Sequence, residues 1–343
     1  MAAHLTTGYA QFQKMRQTYF NRKFLEDLYP SVIAFEYGEK RTMPAHEGAT
    51  KMRLFRYDRL SPSSIYALPE GGTIANETDI TVSQIEIDLE QFGATTSLST
   101  LLQETAIDPK LMNVQKQMSR MASEGVDNFI YNKLLKPTQA DAWKTSPTSA
   151  EAQAVIDTGT DTFDVIYGGD ATKLEGAGEV DATDVMTSEV IRKGTAKMRS
   201  NACPVYPSGS YVCLVHPNIA MTLTKDGDFI AWNQHSNAKL FHKAQVGELA
   251  NVIFISSQNC PSINNGTTKV YMSLLLSPGA YAINELATRK GLKQAVDFIV
   301  KEPNPYDTSN PFNTYTKVSF KILLGVGIQD RRKGLWLATA SLF

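Results

Sequence analysis

Three features of the sequence predict an α+β protein of about two domains. Residues 108–136 carry a long helical period, residues 51–55 and 85–90 alternate with period two, and the second half holds short apolar runs bounded by turn residues. The helix organises the rest. It starts at Asp108-Pro109, a capping carboxylate followed by a proline whose fixed φ suits a first helical turn. Leu111, Val114, Met118, Met121, Ala122, Val126, Phe129, Ile130 and Leu134 then recur at three- and four-residue steps. Lys116, Arg120, Glu124, Asp127 and Lys133 fall between them, as a half-solvated helix requires, and Pro137 ends the ladder. At about 1.5 Å per residue the helix is roughly 40 Å long, enough to form the spine of a domain.

The totals bound the function. A chain of 343 residues with 42% hydrophobic and 20% charged side chains is an ordinary globular composition able to bury a large core. A net charge of −1 argues against a general nucleic-acid binder. That sum hides an asymmetry. Residues 137–189 hold 2 basic and 11 acidic side chains, whereas residues 190–343 hold 17 and 8. Cys203, Cys213 and Cys260 are too few and too scattered for a disulfide framework, which fits folding in a reducing cytosol. The first residues lack the pattern of a signal peptide, and no apolar run approaches the ~20 residues that cross a bilayer, so a soluble, unexported chain is expected.

Taken in order, residues 9–28 read as an amphipathic helix rich in aromatics, with Tyr9, Phe12, Tyr19, Phe20 and Phe24 among basic residues. Such a terminal helix packs on its own core or on a partner surface. Around Met52 and Leu54, and again at Ile85, Ile87 and Leu89, apolar positions alternate with charge. The first run is basic (Lys51, Arg53, then Arg56 and Arg59) and the second acidic (Glu86, Asp88, Glu90), which favours cross-strand pairing. The turn chemistry of Ser61-Pro62 and Leu68-Pro69-Glu70-Gly71-Gly72 lies between. Residues 48–92 are therefore a long two-stranded excursion that buries little alone and is either mobile or laid on a neighbour.

Residues 137–189 read as an exposed acidic insertion with one hairpin around Thr162–Gly168, or as a disordered linker. Residues 188–200 resume a helix. Tyr211–Val215 is a buried strand ended by His216-Pro217, followed by a short helix to Leu223, and Val252–Ile255 is a second buried strand. Residues 270–276, 281–283, 316–324 and 335–342 supply further strands, and Arg331-Arg332-Lys333 sits between the last two. No repeat is visible.

The chemical candidates are weak. Cys213 and His216 are three apart on a strand, so their side chains leave opposite faces and cannot form a nucleophile and base. His235 and His242 lack a third ligand for a metal. Neither Gly176-Ala177-Gly178 nor Gly325-Val326-Gly327 has the strand and helix of a phosphate cradle, and Lys193-Gly194-Thr195 lacks the upstream glycines of a nucleotide site. Arg331, Arg332 and Lys333 form either a solvated turn or a surface facing nucleic acid. No catalytic residue, cofactor or metal is expected, which points to a structural or binding role.

Several stretches in this order resemble the Hong Kong 97-like fold of tailed-bacteriophage major capsid proteins, in particular those of short-tailed phages of the large podovirus type. They are Gly48-Ala49-Thr50-Lys51, Tyr57-Asp58-Arg59-Leu60, Leu68-Pro69-Glu70-Gly71, Gly209-Ser210-Tyr211-Val212 with His216-Pro217, and Gly247-Glu248-Leu249-Ala250-Asn251-Val252-Ile253-Phe254-Ile255. In the last, Leu249-Ala250 replaces the family's glycine. The resemblance implies an N-terminal arm (1–47), an E-loop (48–82), a P-domain with the spine helix (83–136), an acidic insertion (137–187), an A-domain (188–300) and return strands of the P-domain (301–343). It implies self-assembly into pentamers and hexamers of an icosahedral head around double-stranded DNA, within a virion assembled in the host cytoplasm. Portal, scaffolding and decoration proteins are the other partners it implies. On this reading Arg53, Arg56, Arg59 and Glu70 contact a neighbouring subunit. Arg331, Arg332 and Lys333 face either the DNA or the acidic insertion of an adjacent subunit. An encapsulin-like compartment shares the fold, and a soluble enzyme with an unrecognised site is the alternative from another class.

Overall fold

The apolar period read from Asp108 to Lys136 folds as one helix, Lys110–Leu135, in the computed structural model of the chain. The structure describes residues 19–20, 22–24, 32–43, 50–57, 60, 65, 79–105, 110–135, 162–169, 180–230, 245–264, 268–286, 296–301, 312 and 314–342. The expected cap at Asp108-Pro109 and stop at Pro137 lie outside these residues. Met118, Ala122, Val126, Phe129, Ile130 and Leu134 of the spine helix are buried as the period requires. Two positions differ. Met121 is 44% exposed, and Asp127, expected on the solvated side, is fully buried.

Asp127 belongs to a second row on the same helix. Gln115, Ser119, Ser123 and Asp127 recur every four residues, which aligns them along one face, and all four are buried. Three of them grip the N-terminal segment. Gln115 Nε2 donates to the carbonyl of Phe20 (2.9 Å), and Ser119 Oγ donates to the carbonyl of Phe24 (2.9 Å). The Asp127 carboxylate accepts the backbone N–H groups of Ile33 (3.3 Å) and Ala34 (3.2 Å), where the short helix Ala34–Tyr37 begins. Ser123 closes on the carbonyl of Arg120. Apolar contact reinforces the seam, since Phe24 stacks on Phe298 at 4.7 Å between centroids and lies 6.0 Å from Phe320.

Fourteen strands are found among the described residues. In chain order they are β1 (Glu39–Met43), β2 (Lys51–Tyr57), β3 (Val82–Asp88), β4 (Glu90–Ser99), β5 (Asp164–Tyr167), β6 (Tyr211–Val215) and β7 (Gln245–Leu249). There follow β8 (Val252–Ser256), β9 (Ser262–Asn264), β10 (Lys269–Leu276), β11 (Tyr281–Leu286), β12 (Val296–Lys301), β13 (Tyr315–Ile328) and β14 (Gly334–Ala340). One sheet runs β1-β11-β13-β12, with β4 also paired to β13. A larger sheet runs β5-β14-β10-β6-β8-β7, with β9 also paired to β10, and β2 and β3 form a two-stranded sheet of their own.

These sheets cut the chain otherwise than the block boundaries expected from sequence. Strands β11 and β12 lie inside residues 188–300 yet pair with β13, while β14 returns to the larger sheet. The expected hairpin at Thr162–Gly168 is instead a single strand, β5, parallel to β14 with Leu335 opposite Asp164. Phe163 and Val180, inside the stretch expected to be exposed, are buried.

The larger sheet is covered on both faces, and β6 and β14 are buried at every position. Val212, Leu214, Met272, Leu274 and Trp336 join the core that contains the spine helix. Cys213, Val215, Tyr271, Leu275 and Leu337 pack with the helices Ser188–Ser200 and Pro217–Leu223. Two-sided burial explains why these strands read as unbroken apolar runs. His216 caps the second helix, its Nδ1 accepting the Asn218 N–H at 3.2 Å, so it serves backbone geometry while Cys213 is sealed in the core.

Phe129 is fully buried against Phe92, 5.0 Å between centroids. Phe129→Ala is expected to lower stability by about 3–5 kcal/mol. Met121→Ala, about two turns away on the exposed side, is expected to stay within about 0.5 kcal/mol. Thermal unfolding of the two variants checks the assignment of the helix face.

Candidate functional site

The hairpin β2–β3 forms a two-stranded sheet of its own, and its register places opposite charges face to face: Lys51 opposite Asp88 and Arg53 opposite Glu86. Lys51 Nζ lies 3.2 Å from Asp88 Oδ1, and Arg53 Nε donates to Glu86 Oε1 at 2.9 Å. Exposed pairs of this kind contribute ~0–1 kcal/mol each, so they set register more than stability. Further along the same face the pairing is Phe55 with Gln84 and Tyr57 with Val82. Here the surface is apolar: Phe55 is 61% exposed and Tyr57 70%. Val82 and Ile80, with Leu60 and Ile65 in the connection, are exposed as well. The hairpin therefore has a charged root and an uncovered apolar distal end.

Its opposite face is anchored through two glycines. Ile87 is 1% exposed and lies over Gly327, where an added Cβ would stand 2.6 Å from Ile87 Cγ1. At Gly325 a Cβ would collide with the carbonyl oxygen of Asp88. The Gly325-Val326-Gly327 stretch that holds no phosphate is thus a saddle on β13 where the hairpin root sits.

The second anchor is electrostatic. Arg56 Nη2 donates to Ser83 Oγ at 3.4 Å, and Nη1 lies 3.8 Å from Asp330 Oδ1. Asp330 is buried and also accepts the backbone N–H of Arg332 (3.1 Å) and its Nε (3.2 Å). One carboxylate therefore joins the hairpin to the basic turn Arg331–Lys333. Behind it, a cavity of about 480 Å³ is lined by Arg56, Glu86, Glu90, Lys133 and Arg331 among others. Lys133 Nζ reaches Glu90 Oε1 at 2.7 Å, tying the spine helix to the start of β4.

The structure therefore brings Arg56 close to the 331–333 turn and leaves Arg53 on the other face of the hairpin, and it gives each of them a carboxylate on its own chain. Arg59 and Glu70 lie outside the described residues, as do His235, His242 and Gly176–Gly178. Sequence reasoning missed Asp330, which is joined to the hairpin by Arg56, a residue far away in the chain. It also passed over the aromatic tip, although the alternation that set Lys51 and Arg53 on one face set Phe55 and Tyr57 beside them. Among the described residues no group of three or more His, Cys, Asp or Glu side chains could hold a metal ion, and no helix is long and apolar enough to cross a membrane.

Ile87→Ala and Gly327→Ala test the saddle. Each alone is expected to destabilise, by about 2–5 kcal/mol for the lost side chain and about 1–3 for the added methyl. The double variant is expected to cost less than the sum, because the new methyl occupies space that Ile87 vacates. Chemical denaturation of the four proteins gives the coupling, and strict additivity would separate the two residues.

Comparison with known proteins bears on this arrangement. The family described as phage capsid protein matches residues 82–337, which takes in the spine helix, the basic turn and β3 to β13 with the start of β14. No curated protein matches the chain. Among solved structures, the capsid of Ralstonia phage GP4 aligns with a TM-score of 0.63 at 14% identity, covering 92% of this chain and 90% of that one. The capsid asymmetric unit of cyanophage Pam1 aligns at 0.57 and 12%, covering 92% of each chain. The capsid of Helicobacter pylori bacteriophage KHP30 aligns at 0.56 and 12%, covering 92% and 90%. At such identities the likeness is one of fold. With the family match covering most of its length and the Hong Kong 97-like architecture present, the chain belongs to the phage capsid protein family.

Proposed function

We propose that this chain is the major shell-building subunit of a tailed-phage head, closing into pentamers and hexamers around double-stranded DNA. The observation that carries the mode of assembly is the hairpin: one face is anchored on β13 and Asp330, while Phe55, Tyr57, Val82 and Ile80 are left exposed. An apolar patch on a projecting arm is covered by association. When the arm of one copy lies on a different surface of the next, the contact is head-to-tail and generates rings. On this reading residues 1–47 act as an N-terminal arm and 48–82 as the E-loop. The spine helix with β4, β11, β12 and β13 acts as a P-domain, and the larger sheet as an A-domain. The role needs no catalytic step and no cofactor.

The capsid proteins of phages GP4, Pam1 and KHP30 lend the reading its geometry. Portal, scaffolding and decoration proteins are further partners on this reading, and host cytoplasm the place of assembly. A chain of net charge −1 suits a container that neither grips nor excludes a densely charged genome.

Full-length protein supplied with DNA and a scaffolding protein is expected to form closed shells by negative-stain microscopy and sedimentation. A stable monomer under all these conditions would refute the reading. Phe55→Ser with Tyr57→Ser is expected to abolish shells while circular dichroism and the melting temperature stay near wild type. Normal shells from that variant would remove the hairpin from the contact. Shells that enclose protein cargo in place of nuclease-protected DNA would favour a compartment of the encapsulin kind.

A further inference from the structure

Basic side chains on several elements already have carboxylates within the chain: Lys51 and Arg53 on the hairpin, Lys133 at the end of the spine helix, and Lys197 beside β5. The solvent stripe of the spine helix is different. Its exposed side chains are Asn113, Lys116, Gln117, Arg120, Met121 and Glu124. Lys116 and Arg120 stand one turn apart, about 6 Å along the axis, and residues 110–123 contain no carboxylate. Among the described residues neither cation is in an ion pair, although Glu124 lies one turn beyond Arg120. Like charges at this spacing repel, so the two are placed against the local stability of the helix. A third cation is carried alongside. The carbonyls of Phe20 and Phe24 are bonded to Gln115 and Ser119, the residues just before Lys116 and Arg120. The turn that holds Lys23 therefore runs beside this part of the helix. Lys23 is half-buried and is likewise in no ion pair among the described residues.

We propose that Lys116 and Arg120, flanked by Asn113, Gln117 and Lys23, form a ridge of donors that contacts the phosphate backbone of double-stranded DNA. Cations and side-chain amides are the groups that bond phosphate oxygens. A protein partner calls for an apolar centre, and of the exposed helix residues only Met121 is apolar, at the end of the row beside Glu124. The turn Arg331–Lys333, the other basic candidate, has Arg332 held by the buried Asp330. Two or three cations per copy bind weakly and without regard to sequence, and repetition over a shell supplies the sum. The inference rests on the shell reading only for naming DNA as the polyanion, since the ridge belongs to a single chain.

Fluorescence anisotropy of a short labelled duplex of mixed sequence with the full-length protein, across about 50–200 mM salt, tests it. Each phosphate neutralised contributes about 0.9 to the fall of log affinity with log salt. Lys116→Gln with Arg120→Gln is therefore expected to flatten the slope by about 1.8, so that wild type loses about tenfold more affinity than the variant over this range. Glutamine keeps the helix propensity, and the melting temperature is expected to hold. Should the double variant melt early, each single substitution is expected to flatten the slope by about 0.9. Arg192→Gln with Lys193→Gln removes the same charge from paired residues and is expected to leave the slope unchanged. Equal slopes for wild type and ridge variant, an equal flattening in the control, or no salt-dependent binding by wild type would each overturn the ridge. So would a variant that keeps duplex binding but loses binding to polyglutamate, which would assign the surface to an acidic protein. Sedimentation of the same proteins reports shell formation separately. Unchanged slopes with normal shells reject the ridge alone, and a flattened slope without shells rejects the shell reading alone.

Discussion

A row of polar side chains inside a core must find partners, and that constraint sets how this fold is joined. Gln115, Ser119 and Asp127 lie on the buried face of the spine helix, where water cannot satisfy them. Each buried group left unpaired would cost about 1–3 kcal/mol. Their partners are backbone atoms of Phe20, Phe24, Ile33 and Ala34, so the N-terminal segment is part of the core and not an accessory to it. Backbone partners also fix register. A slide of the segment by one residue would break these bonds together, whereas a purely apolar seam would tolerate it. Phe24 between Phe298 and Phe320 then makes the same docking favourable by burial.

Strand β13 is the second organiser. Its first ten residues pair with β4, and its last four pair with β11, where β1 is added in parallel. At that change of partner Gly325 and Gly327 remove two side chains, and the hairpin root settles into the gap. The same inner face is held again at Arg56, which reaches Asp330, so only the outer face of the hairpin is left uncovered. Its charges are satisfied internally across β2 and β3, and the apolar tip is what remains for another surface. Rigidity at the root and exposure at the tip come from the same placement.

Much of this was legible in the sequence where the signal is local. The spine helix shows in its 3.6-residue period. The hairpin pairing shows in basic and acidic runs of equal length, and β6 in an unbroken apolar stretch before His216-Pro217. What could not be read depends on residues far apart. Asp127 looks like any polar residue between apolar ones, and only the arrival of Ile33 and Ala34 gives it a buried role. Gln115, Ser119 and Ser123 repeat every four residues with it, a pattern visible in principle but masked by the stronger apolar stripe. The parallel pairing of β5 with β14 joins residues about 170 apart, and no turn residue announces such a connection. Asp330 similarly becomes a junction only because β13 carries it to Arg56.

The charge asymmetry takes on a different meaning in the folded chain. The acidic stretch before residue 190 and the basic stretch after it could have sought each other across subunits. Part of that attraction is already spent within one chain: Lys197 Nζ lies 2.8 Å from Asp164 Oδ2, and Lys193 Nζ lies 2.9 Å from Glu189 Oε1. The basic turn is treated alike, because Arg332 is held by the buried Asp330 that also faces Arg56. A guanidinium committed to a buried carboxylate has fewer donors left for a phosphate and is less free to move toward one. Positive charge is thus used to brace the hairpin against the end of β13.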